Sequence, residues 1–413
     1  MLKKFFNSRS RIKKLRDAAS DLMEGFAQVL YEADYAKSTA RRHLRAAEHL
    51  LYWFGRHGMA VCEANDQVLI RFVNHLSQCQ CPHFRHADQV EVTCGARLFV
   101  SYLRDIGIIA APVHQESKDP ELLLAFGRWI RQQRGICDVT LSYYRRHLRE
   151  LLKRIGKEPS RLNAAMLREF VLEKHRSSGW ATAKKYTTVL RMFLRFLIAK
   201  GDCAVGLDAA IPTLAHWRLA TLPRYLQPEE VERVIASCDR SSPVGRRDQA
   251  ILLLLARLGL RAGDIVHLRL TDIDWKNASI QVCGKGRRQT RLPLTQEMGQ
   301  AIVDYLQNGR PRSCSDTVFV RCRAPFRSFR SHCAVSVIVD RALRRAGVVR
   351  PSRGAAHLLR HSVATSMLRE GASLEGIADI LRHNSVETTQ IYAKVDITTL
   401  QQIAQPWPEV EPC

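Results

Sequence analysis

Apolar residues recur at spacings of three and four along most of the chain, the pattern of amphipathic helices. Two stretches in the first half repeat that pattern with shared residues. ARRHLRAAEHLLYWFGRHG, from Ala40, aligns with YRRHLRELLKRIGKE, from Tyr144, and RLFVSYLRDIG (Arg97 to Gly107) aligns with RMFLRFLIAKG (Arg191 to Gly201). The alignment predicts two similar helical modules, over residues 20–115 and 116–205, preceded by a solvated basic arm at 1–19. Pro212 and Pro223 then break the helical spacing, so 206–225 reads as a linker.

A third region opens at Pro228, where proline at a helix start and Glu229 and Glu230 in the first turn form an N-terminal signature. It continues with a buried helix over Arg247 to Leu258, a turn at Gly259 and a second helix from about Gly263. Two β-like runs, SIQVCG and QTRLPL, flank the basic turn GKGRR and predict a hairpin. Helices resume near Met298, and a short one opens at Asn384 or Ser385 and carries Tyr392. The fold class is therefore mainly α with one small antiparallel sheet, and this region extends over 226–400, ahead of a tail at 401–413.

Charge narrows the partner. The 413 residues include 64 Lys and Arg against 40 Asp and Glu, a formal excess of +24 that points to a polyanion, nucleic acid first. Both helical modules repeat a basic face, with Arg41, Arg42 and Arg45 in one and Arg145, Arg146, Lys184, Lys185 and Arg191 in the other. Repetition favours a DNA-backbone surface over an ordinary solvated face. The longest apolar run, ILLLLA, is far too short to cross a bilayer, so no membrane partner is expected. The basic start lacks an apolar h-region, and twelve dispersed cysteines suit reduced thiols in a cytoplasm. CQCPHFRH brings Cys79, Cys81, His83 and His86 together, but zinc ligands usually come in wider pairs, so this stretch reads as a loop with no metal.

Cations and imidazoles gather in the third region. Arg261 follows a Gly-Leu turn between two helices, and Lys285 sits at the tip of the hairpin with Arg287 and Arg288 beside it. His357 and Arg360, at i and i+3, share a helical face, and His383 ends a helix ahead of Tyr392. Each alone has a mild structural explanation; as a set they suit phosphoryl transfer from a DNA phosphodiester to a hydroxyl. Two guanidiniums and an imidazole can clamp the non-bridging oxygens, a lysine among other cations can protonate the leaving oxygen, and a tyrosine can attack. No metal or other cofactor is needed in this scheme.

Those motifs resemble the tyrosine recombinases, the phage-integrase family of DNA strand-exchange enzymes. GLRAGDIVHLRLTDID resembles the family's first catalytic box, with Arg261 as its arginine and Asp264 as the supporting acid. GKGRRQTRLPL resembles the hairpin with the catalytic lysine, HLLRHSVAT the H-x-x-R box, and ADILRHNSVETTQIYAKV the last box. The spacings from Arg360 to Tyr392 and from His383 to Tyr392 are those the family pattern expects, while Arg382 stands where the family usually has glycine. The resemblance implies a helical core-binding domain at 116–205, a mixed α/β catalytic domain at 226–400 and a further DNA-binding-like module before them. It also implies a 3′-phosphotyrosyl intermediate on double-stranded DNA at specific sites and a homo-tetramer on that DNA, with or without partner recombinases. His357 would assist proton transfer at the tyrosine. A type IB topoisomerase and a catalytically silent DNA-binding member of the fold are the competing readings.

Overall fold

The computed structural model describes residues 1–84, 88–110, 119–155, 158–213, 222–283, 289–349, 354–383, 385–395 and 400–401. The chain divides into two units, one of residues 1–109 with 219–413 and the other of 110–218.

The N-terminal part of the first unit comprises α1 (Leu2–Phe5), α2 (Arg9–Glu32), α3 (Lys37–Arg56), α4 (Asp66–His75) and α5 (Gln89–Asp105). Its first residues are not the solvated arm that their charge suggested. Leu2, Phe5, Ile12 and Leu15 are buried in the same core as Phe26, Leu44 and Phe99, while Arg11 turns outward to pair with Glu48. Apolar residues at helical spacing form a stripe here, and that stripe outweighs the lysines between. The 110–218 unit comprises α6 (Glu121–Arg134), α7 (Asp138–Ile155), α8 (Ala164–Ser178) and α9 (Trp180–Lys200). The repeated motifs fall on equivalent elements. Phe99, Tyr102 and Leu103 on α5 and Phe193, Phe196 and Leu197 on α9 are all buried. Both helices stop at a glycine with positive φ, Gly107 and Gly201, the usual left-handed C-terminal cap.

The remainder of the first unit contains α10 (Pro228–Ala236), α11 (Pro243–Leu258), α12 (Ala262–His267), β1 (Ile273–Asp274), β2 (Ser279–Cys283), β3 (Gln289–Pro293), α13 (Gln296–Asn308), α14 (Cys333–Arg345), α15 (Ala355–Arg369) and α16 (Leu374–Leu381). Ser242 caps α11 by accepting from the Gly245 N–H, and residues 250–256 of that helix are all buried. An apolar run with no polar face belongs at the centre of a bundle, and α11 packs against α13 and α15. The three strands pair antiparallel in the order β1-β2-β3, with Ile280 opposite Leu292 and Val282 opposite Thr290. β1 was absent from the sequence reading because so short a strand carries no periodicity. The short helix expected from Asn384 or Ser385 takes the form of two 3₁₀ helices, Val386–Thr388 and Gln390–Val395. Among the described residues no helix is long and apolar enough to cross a membrane.

Candidate active site

Short turns between helices position the site, and two of them need a left-handed residue. α11 ends at Gly259, whose φ of +58° is left-handed, and a Cβ there would lie 2.6 Å from Leu381 Cδ2. The turn lets Arg261 precede α12, where its own N–H donates to Asp264 Oδ2 at 2.8 Å. α16 ends at Arg382, whose φ of +54° explains why glycine suits this position. Residues 386–395 then bring Tyr392 under α15, in a small apolar cluster with Ala364, Ile377 and Leu381.

The two arginines expected to act together do converge. Arg360, 4 % exposed, donates to the carbonyls of Gly259 and Leu381, and Arg261 Nη2 donates to the carbonyl of Arg382 at 2.8 Å. Carbonyls at the end of a helix are free to accept and carry the negative end of its dipole, so the end of α16 holds both guanidiniums. Arg382 does not reach outward. Its guanidinium turns in to Asp264, both side chains being almost fully buried. Asp264 thus joins the α12 start to the α16 end. Arg261 Nη1 and Arg382 Nε and Nη1 are buried donors with no partner among the described residues. Buried N–H groups on cations are costly unless an acceptor arrives, and an anion such as a phosphate would supply one.

Tyr392 is 1 % exposed, so it is neither a surface aromatic nor on a free helix. Its hydroxyl lies 2.8 Å from Nδ1 of His361, a residue the sequence reading passed over. The available signal was its place at i+4 from His357, on the face that also carries Arg360. His357 itself stays at the surface, its ring 6.4 Å from that of His361, so the tyrosine's partner is His361 and not His357. His383 Nδ1 meets Thr389 Oγ1 at 2.8 Å and thereby ties the end of α16 to the tyrosine segment.

Burial in this cationic surrounding shifts most of the titratable groups. It pushes the Tyr392 phenol up to about 12 against the opposing pull of Arg360. Burial, with His357 and Arg360 adding, holds His361 down to about 4. Burial and the two arginines do the same to His383, down to about 4. Arg360 falls to about 10, from burial first and Arg261 next, while Arg261 and His357 are lowered by desolvation and their cationic neighbours. Crowding of this kind is relieved by a bound anion.

Residues 224–398 match the family described as Phage integrase family, and 124–201 match Phage integrase, N-terminal SAM-like domain. Putative integrase/recombinase y4rA of Sinorhizobium fredii is 36% identical over 390 residues, covering 93% of this chain and 93% of that protein. The chain belongs to the phage integrase family of tyrosine recombinases. Its fold is shared with solved recombinases. XerH bound to its palindromic difH substrate in a post-cleavage complex aligns with a TM-score of 0.54 and 19% identity, covering 88% of this chain and 97% of that one. A lambda integrase tetramer bound to a Holliday junction aligns with a TM-score of 0.52 and 17% identity, covering 76% and 88%. This chain is thus a tyrosine-type site-specific recombinase.

The other candidates are placed less uniformly. Lys285, Arg287 and Arg288 lie outside the described residues. Arg42 pairs with Glu91, Arg45 donates to the His83 carbonyl and Arg41 to that of Phe5, so this trio braces its own module while remaining exposed. Arg145 lies 3.7 Å from Asp119, and Arg191 donates to the Ile211 carbonyl at 2.9 Å. Arg146, Lys184 and Lys185 are exposed; Arg146 lies over Tyr143 and Lys184 over Trp180.

Proposed function

We propose that the recombinase cleaves and rejoins duplex DNA at specific sites through Tyr392, for integration or transposition of a mobile element. The observation that carries this reading is the 2.8 Å contact between the Tyr392 hydroxyl and His361, beside a pair of converging arginines. A scissile phosphate would bind with its non-bridging oxygens on Arg261 and Arg360, aided by His383 and the unpartnered donors of Arg382. The Tyr392 oxygen forms a bond to phosphorus as the bond to the 5′ oxygen breaks. The phenolic proton passes to His361, and Lys285 gives a proton to the departing 5′ oxygen. Rejoining is the reverse with a different 5′ hydroxyl, and the phosphotyrosyl bond conserves the energy, so no nucleotide is consumed.

Asp264 would act as a positioning residue, fixing Arg261 and Arg382. Arg146, Lys184 and Lys185, with Arg287 and Arg288, would meet the phosphate backbone. A homo-tetramer on paired sites in the cytoplasm completes this reading, and the lambda integrase tetramer supports it by analogy of fold. The test is a nicked suicide substrate carrying a candidate site. Wild-type protein should accumulate a covalent protein–DNA adduct and Tyr392→Phe none; an adduct in the Phe variant would refute Tyr392 as nucleophile.

A further inference from the structure

In the N-terminal module His49 from the middle of α3, His75 at the end of α4, and Cys79 and Cys81 in the chain just after it point their donor atoms at one centre. His75 Nε2 lies 3.3 Å from Cys81 Sγ and His49 Nε2 3.5 Å from Cys79 Sγ, and all four atoms fall within 4.8 Å of one another. Zinc bonds of ~2.3 Å to sulfur and ~2.0 Å to nitrogen give tetrahedral sulfur–nitrogen edges of about 3.6 Å. Both measured edges are close to that, so a small contraction of the remaining pairs closes the cage.

We propose that His49, His75, Cys79 and Cys81 form a structural zinc site that pins α4 and the segment following it to α3.

The surroundings favour a metal over a chance cluster of polar groups. His49 is 1 % exposed, stacked on Phe84 with ring centroids 4.3 Å apart and edge-on to Phe72 at 5.1 Å. An imidazole buried among aromatic rings needs a partner for its polar atoms, and coordination supplies one for Nε2. Two thiolates and two imidazoles with no carboxylate suit zinc, and four protein ligands leave no open position for a substrate. The role is therefore to hold the module together. Binding releases the two thiol protons as the metal takes both sulfurs. Proximity along the chain groups Cys79 and Cys81 with His83 and His86, whereas the folded chain supplies the second pair of ligands from two helices. His83 is not in the group, and His86 lies outside the described residues.

The test uses the full chain purified after growth in zinc-replete medium. Elemental analysis should find about one zinc per chain. After removal by a chelator, added Co²⁺ should give the thiolate charge-transfer and visible bands of a tetrahedral site. Cys79→Ser should weaken metal binding beyond the ~10–100-fold typical of outer-shell changes, and Cys62→Ser, at an exposed thiol, should leave it intact. Wild-type protein with less than about a tenth of a zinc per chain and no cobalt bands overturns the site, whether or not the Cys79 variant folds. Undiminished binding in both Cys79→Ser and Cys81→Ser overturns it as well.

Discussion

Replacing Arg382 by glycine sets two local energies against each other. The substitution restores the residue the family usually has and removes the left-handed strain at φ +54°. For a non-glycine residue such strain costs about 1–2 kcal/mol. The substitution also deletes the buried partner of Asp264. Breaking a buried pair costs about 3–5 kcal/mol. Glycine adds about 1 kcal/mol of chain entropy to that loss. Two effects reduce it: Asp264 keeps the Arg261 N–H at 2.8 Å, and the cations Arg261 and Arg360 lose a like-charged neighbour. The balance is a net destabilisation of about 2 kcal/mol for Arg382→Gly. Urea unfolding, with hydrogen exchange resolving amides of α12 and α16, reads the change where it is expected. A double-mutant cycle with Asp264→Asn should give a coupling of about 1–3 kcal/mol. If Arg382→Gly is as stable as wild type or more so and the coupling vanishes, Arg382 is a strained surface cation and the inward pairing is wrong.

Gly259→Ala should be worse than its size suggests, since the added Cβ would meet Leu381 Cδ2 at 2.6 Å in a left-handed turn whose carbonyl receives Arg360. Suicide-substrate cleavage should fall at least ~10-fold with a stability loss of about 2 kcal/mol, and full cleavage in this variant would dissociate the turn from the arginine. Acid should loosen the catalytic region before it unfolds the rest. His361 and His383 are held down to about 4, so between their ordinary value and about 4 the unfolded chain binds protons that the folded chain does not. Their stabilising contribution is present above the unfolded value and is lost as pH falls toward the folded one, by about 2 kcal/mol each after allowance for partial exposure. Denaturant midpoints from pH 7.5 to 4.5 should shift less in His361→Gln than in wild type; identical slopes would contradict the burial of these rings.

The elements and the partners of the site were legible to different degrees. Arg261, His357, Arg360, His383 and Tyr392 could be singled out because as a set they suit phosphoryl transfer and their short motifs resemble the family's boxes, although each alone has a mild structural explanation. What spacing could not show was tertiary: that Tyr392 is buried, that Arg382 points inward to a carboxylate far upstream in the chain, and that Arg42 and Arg145 already have acidic partners. The first residues illustrate the same limit. Charge made 1–19 look solvated, but the alternation of Leu2, Phe5, Ile12 and Leu15 with lysines is an amphipathic pattern, and burial follows the apolar stripe. His361 falls between the two cases. Its position at i+4 from His357 was visible, but its role depends on a tyrosine delivered from a distant turn.

That delivery raises the question of where the nucleophile's proton goes. The phenol of Tyr392 is pushed up to about 12 and the imidazole of His361 held down to about 4. Proton transfer between them is therefore strongly uphill in the DNA-free protein. The tyrosine rests as a neutral phenol. Burial is the main cause of the low His361 value, and a phosphate beside Arg360 would offset the smaller cationic part, making the imidazole a better acceptor as the substrate arrives. DNA binding would thus switch the nucleophile on. His361→Gln keeps a hydrogen-bonding group beside the hydroxyl but cannot accept a proton. If His361 is the base, adduct formation in this variant should fall ~10²–10⁴-fold and lose the acid limb of its pH profile, while His357→Gln retains that limb. A His361→Gln protein that cleaves at the wild-type rate, with His357→Gln crippled, would move the base to His357 and leave His361 as a positioning residue for Tyr392.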